Sequence, residues 1–177
     1  AASDVYKRQI ISCNGDLGIF DTTTNTISLG EPIPYYMEMT TISATLYNDK
    51  IYVIGARPPS PMLYTFYIYD IASNTWTEGS NMQNAKVGSS ITVHDGKIYA
   101  AGGFEFGYDD PSYIIDDIQA YDIQKDVWET VGSVQNGENI ITAAYNGNYY
   151  VLCPVNFTNV KNGIEITSVD WFGNPPE

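Results

Sequence analysis

Few side chains in this 177-residue chain are of the kinds that do covalent chemistry. There is one histidine, His94, beside the pair Asp95 and Gly96. A single imidazole excludes a multi-histidine zinc or copper site made from this chain alone. The acidic pairs Asp109–Asp110 and Asp116–Asp117 lie close together. Paired carboxylates can serve acid–base work on a glycan or donate oxygens to calcium, which takes six to eight of them. The plainer reading is a solvated acidic surface. No Gly-x-Ser-x-Gly elbow, phosphate-binding loop or dinucleotide fingerprint is present. These residues do not assemble a catalytic set, so no catalytic residue, metal or cofactor is expected.

The elements that must position them come next, and composition bounds them. Hydrophobic residues are 44% of the chain, enough for a packed core, and charged residues only 16%. Eight Lys and Arg stand against 21 Asp and Glu, for a net charge of -13. Phosphate neutralisation needs clustered cations, so nucleic-acid binding is not expected. An anionic membrane surface is disfavoured for the same reason, and no apolar run reaches the roughly 20 residues of a spanning helix. Cys13 and Cys153 are too few for a disulfide scaffold and read as small buried residues, without a bridge between them. One glycosylation sequon, Asn156–Thr158, is present. Residues 1–9 fit no pattern in the rest of the chain and read as a non-native or disordered start.

The chain repeats itself. Leu46–Ala56 matches Val93–Gly103 and Ala144–Pro154, at offsets of 47 and 51 residues. Tyr69–Asp70 followed by Trp76 recurs as Tyr121–Asp122 followed by Trp128. Phe20–Asp21 with Ile27 is a degenerate copy, and Val169–Asp170 reads as a fourth. The four aspartates stand 49, 52 and 48 residues apart. Each unit is built of strands. In the third, Gly88–His94 and Lys97–Gly102 flank Asp95–Gly96, a pair suited to a type I′ hairpin turn. A variable loop runs from Gly103 to about Ile114. Strands at Ile115–Asp122 and Val127–Val131 then enclose the turn Gln124–Asp126. No window sustains helical spacing. Four antiparallel strands every ~50 residues describe a propeller blade.

The landmarks resemble the Kelch repeat. Its pattern is a strand ending in a double glycine, a variable loop, then a tyrosine followed about seven residues later by a tryptophan. The third unit has Gly102, Gly103, Tyr121 and Trp128; the second has Gly55, Ala56, Tyr69 and Trp76. The fourth departs, with Cys153–Pro154 at the glycine position, and the first carries Ile27 in place of tryptophan. The resemblance implies an all-β fold: a partial Kelch-type propeller of four-stranded antiparallel blades. Two blades would be complete and two partial, at about 10–30, 36–78, 84–131 and 137–170. Propellers close with roughly four to eight blades, so the remaining blades are expected in a longer chain. Gly55, Gly102, Gly103, Asp70, Asp122, Trp76 and Trp128 read as structural residues of the repeat.

Kelch propellers generally bind with the rim that carries the loops between second and third strands and the linkers between blades. Here that rim is long and varied, whereas the opposite turns are short and regular. Its candidate ligand-binding residues are Arg57 and Tyr64 in the second unit, and Phe104, Phe106, Tyr108, Asp109 and Tyr113 in the third. The linkers add Tyr35, Tyr36, Gln83 and Asn84. Aromatic rings stack on apolar faces, amides bridge hydroxyls, and a guanidinium anchors an acidic group. The expected function is a non-catalytic binding module for a protein or a glycan. The alternative is a piece of a Kelch-fold carbohydrate-active enzyme (sugar isomerase, lyase or oxidase) whose catalytic residues lie mostly elsewhere. One histidine speaks against the copper-oxidase relatives with their galactose oxidase-like propeller. Few lysines and many Asn, Thr and Tyr favour an extracellular or cell-surface setting, with a cytoplasmic one as the alternative.

Overall fold

A computed structural model describes residues 8–13, 16–32, 34, 42–57, 63–84, 88–105, 113–134, 140–145, 148–152 and 170–171. Among the described residues there is no helix. The first sheet holds three strands, β1 (Arg8–Cys13), β2 (Asp16–Asp21) and β3 (Thr26–Leu29), in that order. The second holds four: β4 (Ile42–Tyr47), β5 (Lys50–Arg57), β6 (Leu63–Asp70) and β7 (Thr75–Glu78). The third is begun by β8 (Ser90–His94) and β9 (Lys97–Ala101). A small ribbon, β10 (Phe104–Glu105) with β11 (Tyr113–Ile114), then projects from it. The sheet is completed by β12 (Asp117–Asp122) and β13 (Val127–Ser133). A hairpin follows, β14 (Ile141–Tyr145) with β15 (Asn148–Leu152), and last β16 (Asp170–Trp171). All pairings are antiparallel.

The landmarks spaced by sequence meet by register. Phe20 lies opposite Ile27, Tyr69 opposite Trp76, and Tyr121 opposite Trp128. Both faces of each inner sheet are buried, as period-two alternation requires when sheets stack on both sides. Ile51, Val53, Tyr67 and Tyr69 pack toward Leu17 of the first sheet. Tyr52, Ile54 and Phe66 face the opposite way, onto Ile91, Ile98, Ala100, Tyr121 and Trp128. Ala101 and Ile118 of the third sheet meet Val151 of the last hairpin, with Val134 and Ile140 between them. Three apolar layers thus fill the gaps between four successive sheets. Strands β4, β8 and β14 lie side by side as the inner edges of their sheets. There Ser43 Oγ donates to Ser89 O, and Ser90 Oγ joins Thr142 Oγ1 at 2.8 Å.

Several boundaries differ from the sequence reading. Strand β1 begins at Arg8, inside the segment set apart as a non-native or disordered start; Arg8 and Gln9 pair with Asp21 and Phe20. The loop after Gly103 carries the ribbon β10–β11, whose two-residue strands are too short for any periodicity to reveal. Strand β13 extends to Ser133, beyond the expected end at Val131. Its extra length leaves an edge on which Asp170–Trp171 pair with Ser133 and Gly132. Asp170, taken as the landmark of a fourth unit, therefore lies on the outer edge of the third sheet rather than beside β15. Cys153 and the sequon fall outside the described residues.

Candidate functional site

Register fixes two rims. Lys50 is opposite both Tyr47 and Asp70, and Asp70 is opposite Thr75, so the β4–β5 and β6–β7 turns share one end of the sheet. His94, Lys97, Asp122 and Val127 define the same end of the third sheet. The opposite end carries the loop after Arg57, the ribbon β10–β11 and the linkers between sheets.

The short rim is built from one repeated device. Asp21 Oδ1 accepts from the amides of Thr23 and Thr24 at 2.7 and 3.2 Å. Asp70 Oδ1 accepts from Ala72 and Ser73, both at 3.0 Å. Asp122 Oδ1 accepts from Gln124 and Lys125 at 3.0 and 3.2 Å. Four residues past each aspartate stands a residue with positive φ: Asn25 at 58°, Asn74 at 56° and Asp126 at 54°. Asn and Asp tolerate this conformation best among residues with a Cβ. The two-residue turns Asn48–Asp49 and Asp95–Gly96 also have positive φ at both positions, as type I′ geometry requires.

The Asn74 and Asp126 side chains then reach across a gap between sheets. Asn74 Oδ1 accepts from Tyr69 Oη at 2.6 Å and from the Glu31 amide at 2.8 Å. Asp126 Oδ1 accepts from Tyr121 Oη at 2.7 Å and from the Ser80 amide at 2.8 Å. The neighbouring tryptophan closes each clip: Trp76 Nε1 donates to Glu31 O and Trp128 Nε1 to Ser80 O, both at 2.9 Å. The second and third sheets thus each hold one residue of the preceding linker by both its amide and its carbonyl. The sequence reading found the aspartate and tryptophan of this device and put Asp126 in a turn, but missed that Asn74 and Asp126 reach the preceding linker. Their fixed place four residues after each landmark aspartate is the signal that could have found them.

Charge follows the same geometry. Lys50 Nζ pairs with Asp70 Oδ2 at 2.8 Å, Lys97 with Glu129 at 3.2 Å and Lys125 with Asp122 at 2.7 Å. The Lys50 ammonium, with the Ser73 amide, pulls the Asp70 carboxyl down to about 2. Lys125 lowers Asp122 likewise, and the Ser80 amide and Tyr121 hydroxyl lower Asp126. Burial pushes the Tyr121 and Tyr149 phenols upward. His94 ends β8 and packs against the rings of Tyr99 and Tyr149, with centroids at 5.9 and 6.1 Å.

At the long rim, Gln83 and Asn84 join the linker to the third sheet. The Gln83 amide donates to Gln119 Oε1 at 3.0 Å, and Thr130 Oγ1 donates to Gln83 Oε1 at 3.1 Å. Asp117 Oδ2 accepts from Asn84 Nδ2 at 3.0 Å and Gln119 Nε2 at 2.8 Å. Gln119 is wholly buried, and both ends of its amide are bonded. Phe104 is half-buried in β10, and Tyr113 in β11 is 57% exposed, beside Ile114 at 46%. Arg57 ends the β5–β6 pairing on this rim, opposite Leu63, with Tyr64 one step in, opposite Ala56. Tyr35, Tyr36, Phe106, Tyr108 and Asp109 lie outside the described residues.

The repeat residues divide. Gly102 and Gly103 leave the strand at φ of 63° and 103°, conformations that a Cβ disfavours. Gly55 instead stays within β5, opposite Ile42 and Thr65.

Stacked four-stranded antiparallel sheets with adjoining inner strands, clipped linker to blade, define a partial β-propeller. A solved structure, that of YjhT, shares the fold at a TM-score of 0.52, with 19% identity over 70% of this chain and 35% of that one. The chain belongs to the Kelch-repeat family: two Kelch motif models match residues 39–83 and 85–135, together more than half of it. Kelch-like protein 23 of Homo sapiens is 30% identical over 72% of this chain and 22% of its own length. An F-box/kelch-repeat protein of Arabidopsis thaliana is 31% identical over 49% and 21%. Alpha-scruin of Limulus polyphemus is 25% identical over 60% and 12%. The chain thus spans less than a quarter of the length of these relatives.

Proposed function

We propose that this chain is part of a non-catalytic binding module whose long-loop rim meets a protein partner. One contrast carries the reading. The recurring geometry of the short rim serves turns and clips, while the long rim differs from blade to blade and exposes Tyr113 and Ile114. Large, exposed aromatic and aliphatic groups on a rigid frame are the makings of a protein contact. Arg57, Tyr64, Phe104 and the loop positions Tyr35, Tyr36, Phe106, Tyr108 and Asp109 belong to the same proposed surface. Gln83 and Asn84 take a supporting part, since their polar groups tie the linker to β12 and β13. The F-box/kelch-repeat and Kelch-like relatives favour the cytoplasmic setting over the extracellular one.

Selection from a displayed random-peptide library, alongside an array of defined oligosaccharides, tests this reading. Peptides that bind the chain and lose binding on Tyr113→Ala or Ile114→Asp, but not on Lys97→Ala at the short rim, support it. Peptides that depend on Lys97 alone, or binding to oligosaccharides only, would overturn it.

A further inference from the structure

The third sheet has a neighbour on each side. It packs on the second sheet through Ile98, Ala100 and Tyr121, and on the last hairpin through Ala101 and Ile118. Its ribbon β10–β11 nonetheless stays open. Tyr113 is 57% exposed and Ile114 46%. Phe104 turns back onto the sheet, with a ring carbon 3.3 Å from where a Cβ on Gly88 would stand. The ribbon is thus anchored at one residue and bare at two, beside neighbours that are both present.

Charge divides the two rims. Lys50, Lys97 and Lys125 lie at the short rim, and each is paired with a carboxylate. From Glu105 to Asp117 the sequence holds five carboxylates and no cation. Against these the long rim has Arg57, at the end of β5, and the linker to the third sheet holds Lys86. Glu105 stands opposite Tyr113 in register, which puts a carboxylate position and an exposed phenol on one face of the ribbon. Asp116, two residues past Ile114, is exposed. Asp117 accepts from Asn84 and Gln119, neutral amides that hold its carboxylate in place without cancelling its charge.

We propose, resting on the long-rim reading above, that the ribbon selects a basic partner: a protein segment that lays a Lys or Arg side chain on Tyr113, in the field of Glu105 and Asp116, and an apolar side chain on Ile114. An aromatic face attracts a cation, and carboxylates beside it add Coulomb attraction. The methylene stem of Lys or Arg covers apolar surface at the same time. An acidic segment would meet like charge at this place, and the net charge of -13 would slow its approach. Because the groups are exposed, added salt weakens the binding.

Two pools of random peptides test the proposal, one rich in Lys and Arg and one with Asp and Glu in their place, each offered to the whole immobilised chain. The basic pool should be retained and the acidic pool should not. Asp116→Lys should cut retention about tenfold. Glu78→Lys, which changes the net charge equally on β7, should leave it nearly unchanged. Tyr113→Ala, which changes no charge, should cut it about fivefold, and Tyr113→Phe should restore most of the loss. Equal loss in the Asp116 and Glu78 variants, or none in Tyr113→Ala, would mean attraction to net charge alone and overturn the proposal. Retention of acidic peptides that depends on Tyr113 would overturn it too, while leaving the long rim as the binding face.

Discussion

The indole N–H of Trp128 donates a 2.9 Å hydrogen bond to the carbonyl oxygen of Ser80, 48 residues earlier in the chain. Trp76 makes the same bond to Glu31 across 45 residues. The tryptophan of a blade is therefore a joint to the linker before it as well as a packing group. Trp128→Phe keeps an aromatic ring and removes the donor. It should cost about 1–2 kcal/mol, read as a shift of the urea midpoint with unchanged slope. Trp76→Phe should cost less, because Trp76 is only half-buried and water can replace the lost donor.

Asp70 predicts a pH effect. Its carboxyl titrates near 2 in the fold, against an ordinary value of 3.8. A depressed carboxylate stabilises the fold above its unfolded value, and that stability is lost as pH falls from about 4 toward 2. Lys50→Met should raise the Asp70 midpoint, followed by NMR of the side-chain carbon. The midpoint should stay below the ordinary value, because the Ser73 amide still donates to the carboxylate.

The two clips also differ in acid. Asn74 is neutral, and Asp126 is a carboxylate held low by Ser80 and Tyr121. Asp126→Asn should keep both bonds through its amide oxygen. Acid titration of the parent and the variant should show the stability lost on protonation of Asp126 in the parent alone. Equal acid sensitivity of the two would contradict this.

Gly79 is required by crowding. A Cβ built there would lie 2.5 Å from Cδ1 and 2.7 Å from Cε1 of Phe66, a buried ring. Gly79→Ala should destabilise the chain by about 1–3 kcal/mol in denaturant titration. Gly30→Ala, whose nearest neighbours are side-chain ends of Leu17 and Tyr69 at 2.8 Å, should be milder.

Gln119 supports the long rim from inside. Gln119→Leu strands the Gln83 amide and removes a donor from Asp117. The expected cost is about 1–3 kcal/mol, with faster hydrogen exchange at the Gln83 amide.

The blade pattern was legible in the sequence because its causes are local. Asp95–Gly96 sets a hairpin, and the unbroken apolar run from Ile51 to Ile54 sets a strand buried on both faces, within a few residues of chain. The clips were not legible, because Glu31 meets Asn74 and Ser80 meets Asp126 only after two units stack. Gln83 and Asn84 looked like ligand residues for the same reason. An exposed amide in a linker gives no local sign of the buried Gln119 or of Asp117 beside it. The ribbon at Phe104–Glu105 and Tyr113–Ile114 rests on two residue pairs, below what any spacing argument resolves.

In both clips the specific side chains belong to the later blade: its tyrosine, its tryptophan and the residue four past its aspartate. To each clip the preceding linker contributes a main-chain amide and carbonyl, which any residue but proline supplies. A unit copied or moved within the gene therefore brings its own clip with it, and that clip asks nothing specific of the unit it lands behind. Arrays of this kind can lengthen or reshuffle without matching changes at the clipped residue upstream, leaving their loops free to diverge.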